Sequence, residues 1–68
     1  MIMNNLNLSK SIYNKDSINR AIFDYKNFCR IEVWETNNYY LCSFYDCKYD
    51  IEKTMLEFEN YLIDIINS

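Results

Sequence analysis

Between Cys29 and Tyr45 the chain alternates in character on either side of Asn37-Asn38, and no other feature restricts its fold as strongly. Two runs rich in β-branched and aromatic residues, separated by two turn-forming residues, read as an antiparallel hairpin. None of the 68 residues is glycine. The turn therefore falls to asparagine, which tolerates the left-handed region best after glycine, and a type I′ turn with positive φ at both centres is expected. With Thr36 opposite Tyr39, the facing pairs become Glu35 with Tyr40, Trp34 with Leu41, Val33 with Cys42, Glu32 with Ser43, Ile31 with Phe44 and Arg30 with Tyr45. Side chains alternate across a sheet, so Ile31, Val33, Cys42 and Phe44 share one face; Arg30, Glu32, Trp34, Leu41, Ser43 and Tyr45 share the other.

Three further elements surround the hairpin. Leu6, Leu8 and Ile12 fall on alternate positions from Asn5 to Tyr13, with Lys10 interrupting, as in a short half-buried strand. Asn14 is placed to cap a helix that begins Lys15-Asp16-Ser17, where Asp16 complements the helix dipole. Ile18, Ala21, Ile22 and Tyr25 make its apolar stripe, and Phe23 lies off it. Asp50 caps the last helix, along which Ile51, Met55, Phe58, Leu62, Ile65 and Ile66 form a second stripe. Two one-striped helices belong on the Ile31/Val33/Cys42/Phe44 face. The expected architecture is an α+β, two-layer β-α-β-β-α sandwich, with a small three-stranded sheet and both helices on one side.

Size and charge narrow the function classes. A chain of 68 residues is one domain (1–68) near the lower limit for independent folding, with no room for a large interior active site. Half the residues are apolar and 18% aromatic, enough to build a core. The net charge of -3 and the scattered Lys and Arg argue against nucleic acid and for a protein or peptide partner. The first eight residues lack the basic and apolar regions of a secretory signal and no stretch is long enough to span a membrane, so a cytoplasmic location is expected.

Catalysis has little to draw on. Histidine is absent, and there is no phosphate loop and no nucleophile beside a recognisable base. Cys29, Cys42 and Cys47 raise the question of a metal, but Cys42 and Cys47 are separated by four residues rather than two and no fourth Cys or His exists. An odd cysteine count without an export signal points to reduced thiols, with Cys29 and Cys42 packed as small apolar residues and Cys47 incidental. The chain is thus expected to be neither an enzyme nor a holder of metal or cofactor.

The uncovered sheet face is where a partner is expected. Trp34, Leu41, Tyr39, Tyr45 and the stem of Arg30 would give it a contiguous aromatic patch of the residue types enriched at binding hot spots. The sheet edges are a second candidate, since no proline blunts them against an added peptide strand.

The chain resembles the HxsD-like family, small proteins named after a component of the His-Xaa-Ser peptide-modification systems. The resemblance is carried by Ser11-Ile12-Tyr13-Asn14-Lys15-Asp16-Ser17-Ile18-Asn19-Arg20-Ala21-Ile22, by Tyr40-Leu41-Cys42-Ser43-Phe44 in the hairpin, and by Glu57-Phe58-Glu59-Asn60-Tyr61-Leu62-Ile63-Asp64. It implies an accessory protein of a cluster that makes a ribosomally synthesised, post-translationally modified peptide, working beside a radical SAM maturase and its precursor peptide. The iron–sulfur cluster and S-adenosylmethionine would belong to that enzyme, because no CxxxCxxC pattern occurs here. Glu57, Glu59 and Asn60, on or beside the solvent side of the last helix, are a fallback surface for an enzyme contact. Two other classes stay open: a small acidic inhibitor or antitoxin-like protein that blocks a basic partner, and a homodimer that occupies its own aromatic face.

Overall fold

The computed structural model describes residues 4–68. In chain order it contains β1 (Asn5–Ser9), α1 (Lys15–Tyr25), β2 (Arg30–Glu35), β3 (Tyr39–Tyr45) and α2 (Ile51–Asn67). This is the expected α+β order. All strand pairs are antiparallel and the sheet order is β1-β3-β2, so the second hairpin strand is central and takes a partner on each side. Every hairpin pair from Glu35 with Tyr40 to Arg30 with Tyr45 stands in the expected register.

The register makes the core. Leu6 lies opposite Cys42 and Leu8 opposite Tyr40, which adds both leucines to the face that carries Ile31, Val33 and Phe44. Leu8, Ile31, Tyr40, Cys42 and Phe44 are buried there together with Ile18 and Ala21 of α1 and Phe58 and Leu62 of α2. The aromatic packing runs through both layers. Phe58 meets Phe44 edge-on at 5.3 Å between ring centroids and Tyr25 at 5.4 Å, so one α2 side chain ties sheet, α1 and α2 together.

The helix starts follow from their caps. Asn14 is extended (φ −113°, ψ 159°), and its Oδ1 accepts from the Ser17 N–H at 2.8 Å. Asp50 does the same for Lys53 at 3.1 Å. Its carbonyl also accepts from the Thr54 hydroxyl, which lets Thr54 be buried on α2 without an unpaired oxygen.

Three local expectations are corrected. The first strand ends at Ser9 rather than running to Tyr13, because the Ser9 carbonyl accepts from both Ile12 and Tyr13 N–H and folds the chain toward α1. Ile12 is consequently exposed, and Lys10 reaches Glu35 at 2.7 Å instead of continuing the strand. Lys10 also donates its N–H to Asn38 O at 3.0 Å.

The hairpin turn has two central residues but is not type I′. Neither Asn37 nor Asn38 has positive φ; among the described residues only Asp46 does, at 53°. Thr36 supplies the reason. Its Oγ1 accepts from the Tyr39 N–H at 3.0 Å, so a side chain replaces the backbone carbonyl that would close a left-handed turn.

The third correction concerns the thiols: Cys29 and Cys47 are joined as a disulfide, their Cα atoms 4.1 Å apart, and Cys42 alone remains free. Extending the hairpin register by one would set Cys29 opposite Asp46. The left-handed residue at Asp46 instead inserts one extra position, as in a β-bulge, and brings Cys47 opposite Cys29. The shifted register continues for one more step, with Lys48 N–H donating to Phe28 O at 2.8 Å.

Candidate functional site

The face of the sheet turned away from the helices is made by alternate residues of three strands. Across it, Asn7, Leu41 and Trp34 form one row, Asn5, Ser43 and Glu32 the next, and Tyr45 with Arg30 a third. Trp34 is 57% exposed and Tyr39 50%, high values for large rings held on a sheet. Leu41 lies opposite Trp34 and two positions after Tyr39 in the central strand. A tryptophan kept in water in a chain that is otherwise able to bury rings is an interaction-type surface.

The patch is less continuous than the residue list suggests. Ser43 is buried and its hydroxyl donates to Asn5 Oδ1 at 2.9 Å, so a polar row divides the face. Trp34, Leu41 and Tyr39 gather at one end. At the other, the Arg30 guanidinium lies 4.9 Å from the centre of the Tyr45 ring and is already engaged there.

A second aromatic site lies on the helical side. Tyr25 at the end of α1, Phe28 before β2, Tyr49 before α2, and Thr54 and Glu57 on α2 line an open cleft of about 120 Å³. Phe28 stands at 71° to Tyr25 and 42° to Tyr49, with centroids 6.0 and 6.2 Å away, so the rings make a bent wall. The Asp46 bulge creates this neighbourhood: the Lys48–Phe28 hydrogen bond delivers Tyr49 beside Phe28. Burial raises the Tyr25 phenol above its usual range, and the Glu57 charge beside it adds to the shift. Sequence reasoning missed the cleft, although Phe28 and Tyr49, aromatic residues outside every stripe, were its signal.

The family model described as His-Xaa-Ser system protein HxsD matches residues 8–66. The chain belongs to the HxsD family. The match runs from β1 into the last turn of α2 and so takes in every element of the fold. Membership points to a role in the His-Xaa-Ser system. No curated protein and no solved structure matches this HxsD-family chain.

The remaining residues singled out by sequence are dispersed in this HxsD-family fold. Glu57 faces the cleft beside Tyr25, whereas Glu59 acts on Tyr13, whose phenol is raised first by burial and then by the Glu59 charge. The two glutamates therefore stand on different sides of α2, and Asn60 is exposed. Glu57, Glu59 and Asn60 do not form one surface. Among the described residues no cluster of His, Cys, Asp or Glu is placed to hold a metal ion, and no helix is long and apolar enough to cross a membrane.

Proposed function

We propose that this HxsD-family protein is a non-catalytic accessory of a ribosomal-peptide modification system, binding the precursor peptide, the radical SAM maturase or both. S-adenosylmethionine and the iron–sulfur cluster are carried by the maturase. The observation that carries the reading is Trp34, which sits opposite Leu41 on the sheet face turned away from both described helices and is more than half exposed. Trp34, Leu41 and Tyr39 are the primary contacts. Tyr45 and Arg30 form a second, more polar contact beyond the Ser43 row. By holding the substrate next to the enzyme, such a protein raises the local concentration at the active site without contributing chemistry.

The outer edges of β1 and β2 flank the same face, so an extended peptide added to either edge would lay alternate side chains against it. We place this work in the cytoplasm. The Cys29–Cys47 disulfide pulls the other way, since cytosolic thiol systems keep cysteines reduced.

The test is an affinity capture of the tagged protein co-expressed with the genes that flank it, with captured chains identified by mass spectrometry. A radical SAM enzyme or a short precursor peptide is expected. Trp34→Ala should weaken that capture about tenfold, the scale of a hot-spot residue, while the far-ultraviolet circular dichroism spectrum stays unchanged. Elution of the protein alone would refute the accessory reading, and wild-type capture by the variant would move the contact to an edge or a helix.

A further inference from the structure

We infer that the cleft between α1, α2 and the Cys47–Asp50 connection receives an arginine side chain of a partner polypeptide, stacked on the Tyr25–Phe28–Tyr49 wall with its guanidinium paired to Glu57. The ring planes give the first argument. Phe28 stands steeply to Tyr25 and obliquely to Tyr49, so three rings in different planes line the cleft, aromatic surroundings in which a cation is attracted by ring quadrupoles.

Charge gives the second. Among the described residues the ion pairs join Lys10 and Lys15 to Glu35, so Glu57 enters none. The residues lining the cleft include no lysine or arginine, and Lys26, just past the end of α1, lies 4.0 Å from the centre of the Phe23 ring. An aromatic wall with an unpaired carboxylate and no resident cation complements a positive head group.

The open shape decides which cation. An enclosed box suits a spherical ammonium, whereas a cleft open on one side suits a planar guanidinium, which stacks on a ring and presents its edge to a carboxylate. A volume of about 120 Å³ admits such a head group while the rest of the partner stays outside. This pocket lies in the helical layer, and its occupancy does not depend on the open sheet face.

A capped Gly-Arg-Gly tripeptide titrated into the ¹⁵N-labelled protein tests the inference. Saturable shifts at the Phe28, Tyr49, Thr54 and Glu57 amides are expected, and the citrulline isostere, which keeps the shape and loses the charge, should bind at least about fivefold more weakly. Glu57→Gln should weaken the arginine peptide by a similar factor, as should Tyr49→Ala, whose ring is exposed. Trp34→Ala should leave arginine binding unchanged. Shifts that never saturate, equal binding of citrulline or phenylalanine peptides, or an unaltered Glu57→Gln titration would overturn the assignment.

Discussion

Removing the Cys29–Cys47 cross-link should cost this chain most of its stability. The two cysteines are 18 positions apart and enclose the whole hairpin. A loop of that size gives a denatured-state entropy loss of about 11 cal/mol/K in the chain-entropy treatment, or about 3 kcal/mol at 25 °C. A single core of this size leaves only about 3–5 kcal/mol in total. The measurement is urea denaturation of the oxidised protein, the fully reduced protein and the Cys29→Ala/Cys47→Ala variant, followed by circular dichroism at 222 nm. Trp34 fluorescence is the poorer probe, because that ring is already 57% exposed in the folded chain. Reduction leaves all packing atoms in place and so isolates the cross-link, whereas the double variant also loses the buried Cys29 sulfur. Both are expected to unfold at markedly lower urea. A loss under about 1 kcal/mol on reduction, or three free thiols titrated after unfolding the purified protein in denaturant without reductant, would refute the reasoning.

Other perturbations follow from single residues. At Asp46, where φ is 53°, glycine should raise stability by about 0.5–1 kcal/mol and valine should lower it by more than about 1 kcal/mol, both read from denaturation midpoints. Burial pushes the Cys42 thiol from 9.0 up to about 11, so the folded state keeps a proton that the unfolded chain begins to release near pH 8.5, about the free-thiol value. Stability from this group is therefore complete below that pH and is lost as pH rises toward 11. Midpoints of Cys42→Ala should be flatter over the same interval. Phe58→Ala removes the ring that touches both Phe44 and Tyr25 and should cost about 3–5 kcal/mol, leaving a chain without a cooperative thermal transition. Trp34→Ala, by contrast, should change stability by under about 1 kcal/mol, as for an exposed cross-strand pair.

The candidate surface was legible only in part. Parity placed Trp34 and Leu41 on the outward face, because alternation along a strand is a local property and the hairpin register follows from loop length. It could not report that Ser43 hydrogen-bonds to Asn5 on a strand remote in sequence, and that contact is what divides the patch. The helical-side cleft escaped for the same reason. Its rings come from α1 and two connections and its polar residues from α2, and no periodicity links them.

What the sequence by itself determined are the features written in neighbouring residues: the two caps at Asn14 and Asp50, the apolar stripes of both helices, the hairpin register and hence the α+β sandwich. These depend on spacings of two, three or four positions, where side-chain direction is set by backbone geometry. The tertiary structure decided the rest. It placed β3 at the centre of the sheet, stopped β1 at Ser9, closed the turn through Thr36 and used a left-handed Asp46 to bring Cys47 to Cys29 and Tyr49 to Phe28. Each of those outcomes depends on a hydrogen bond, a bulge or a strand partner that competes with local preference, and which competitor prevails is settled only when the whole chain packs.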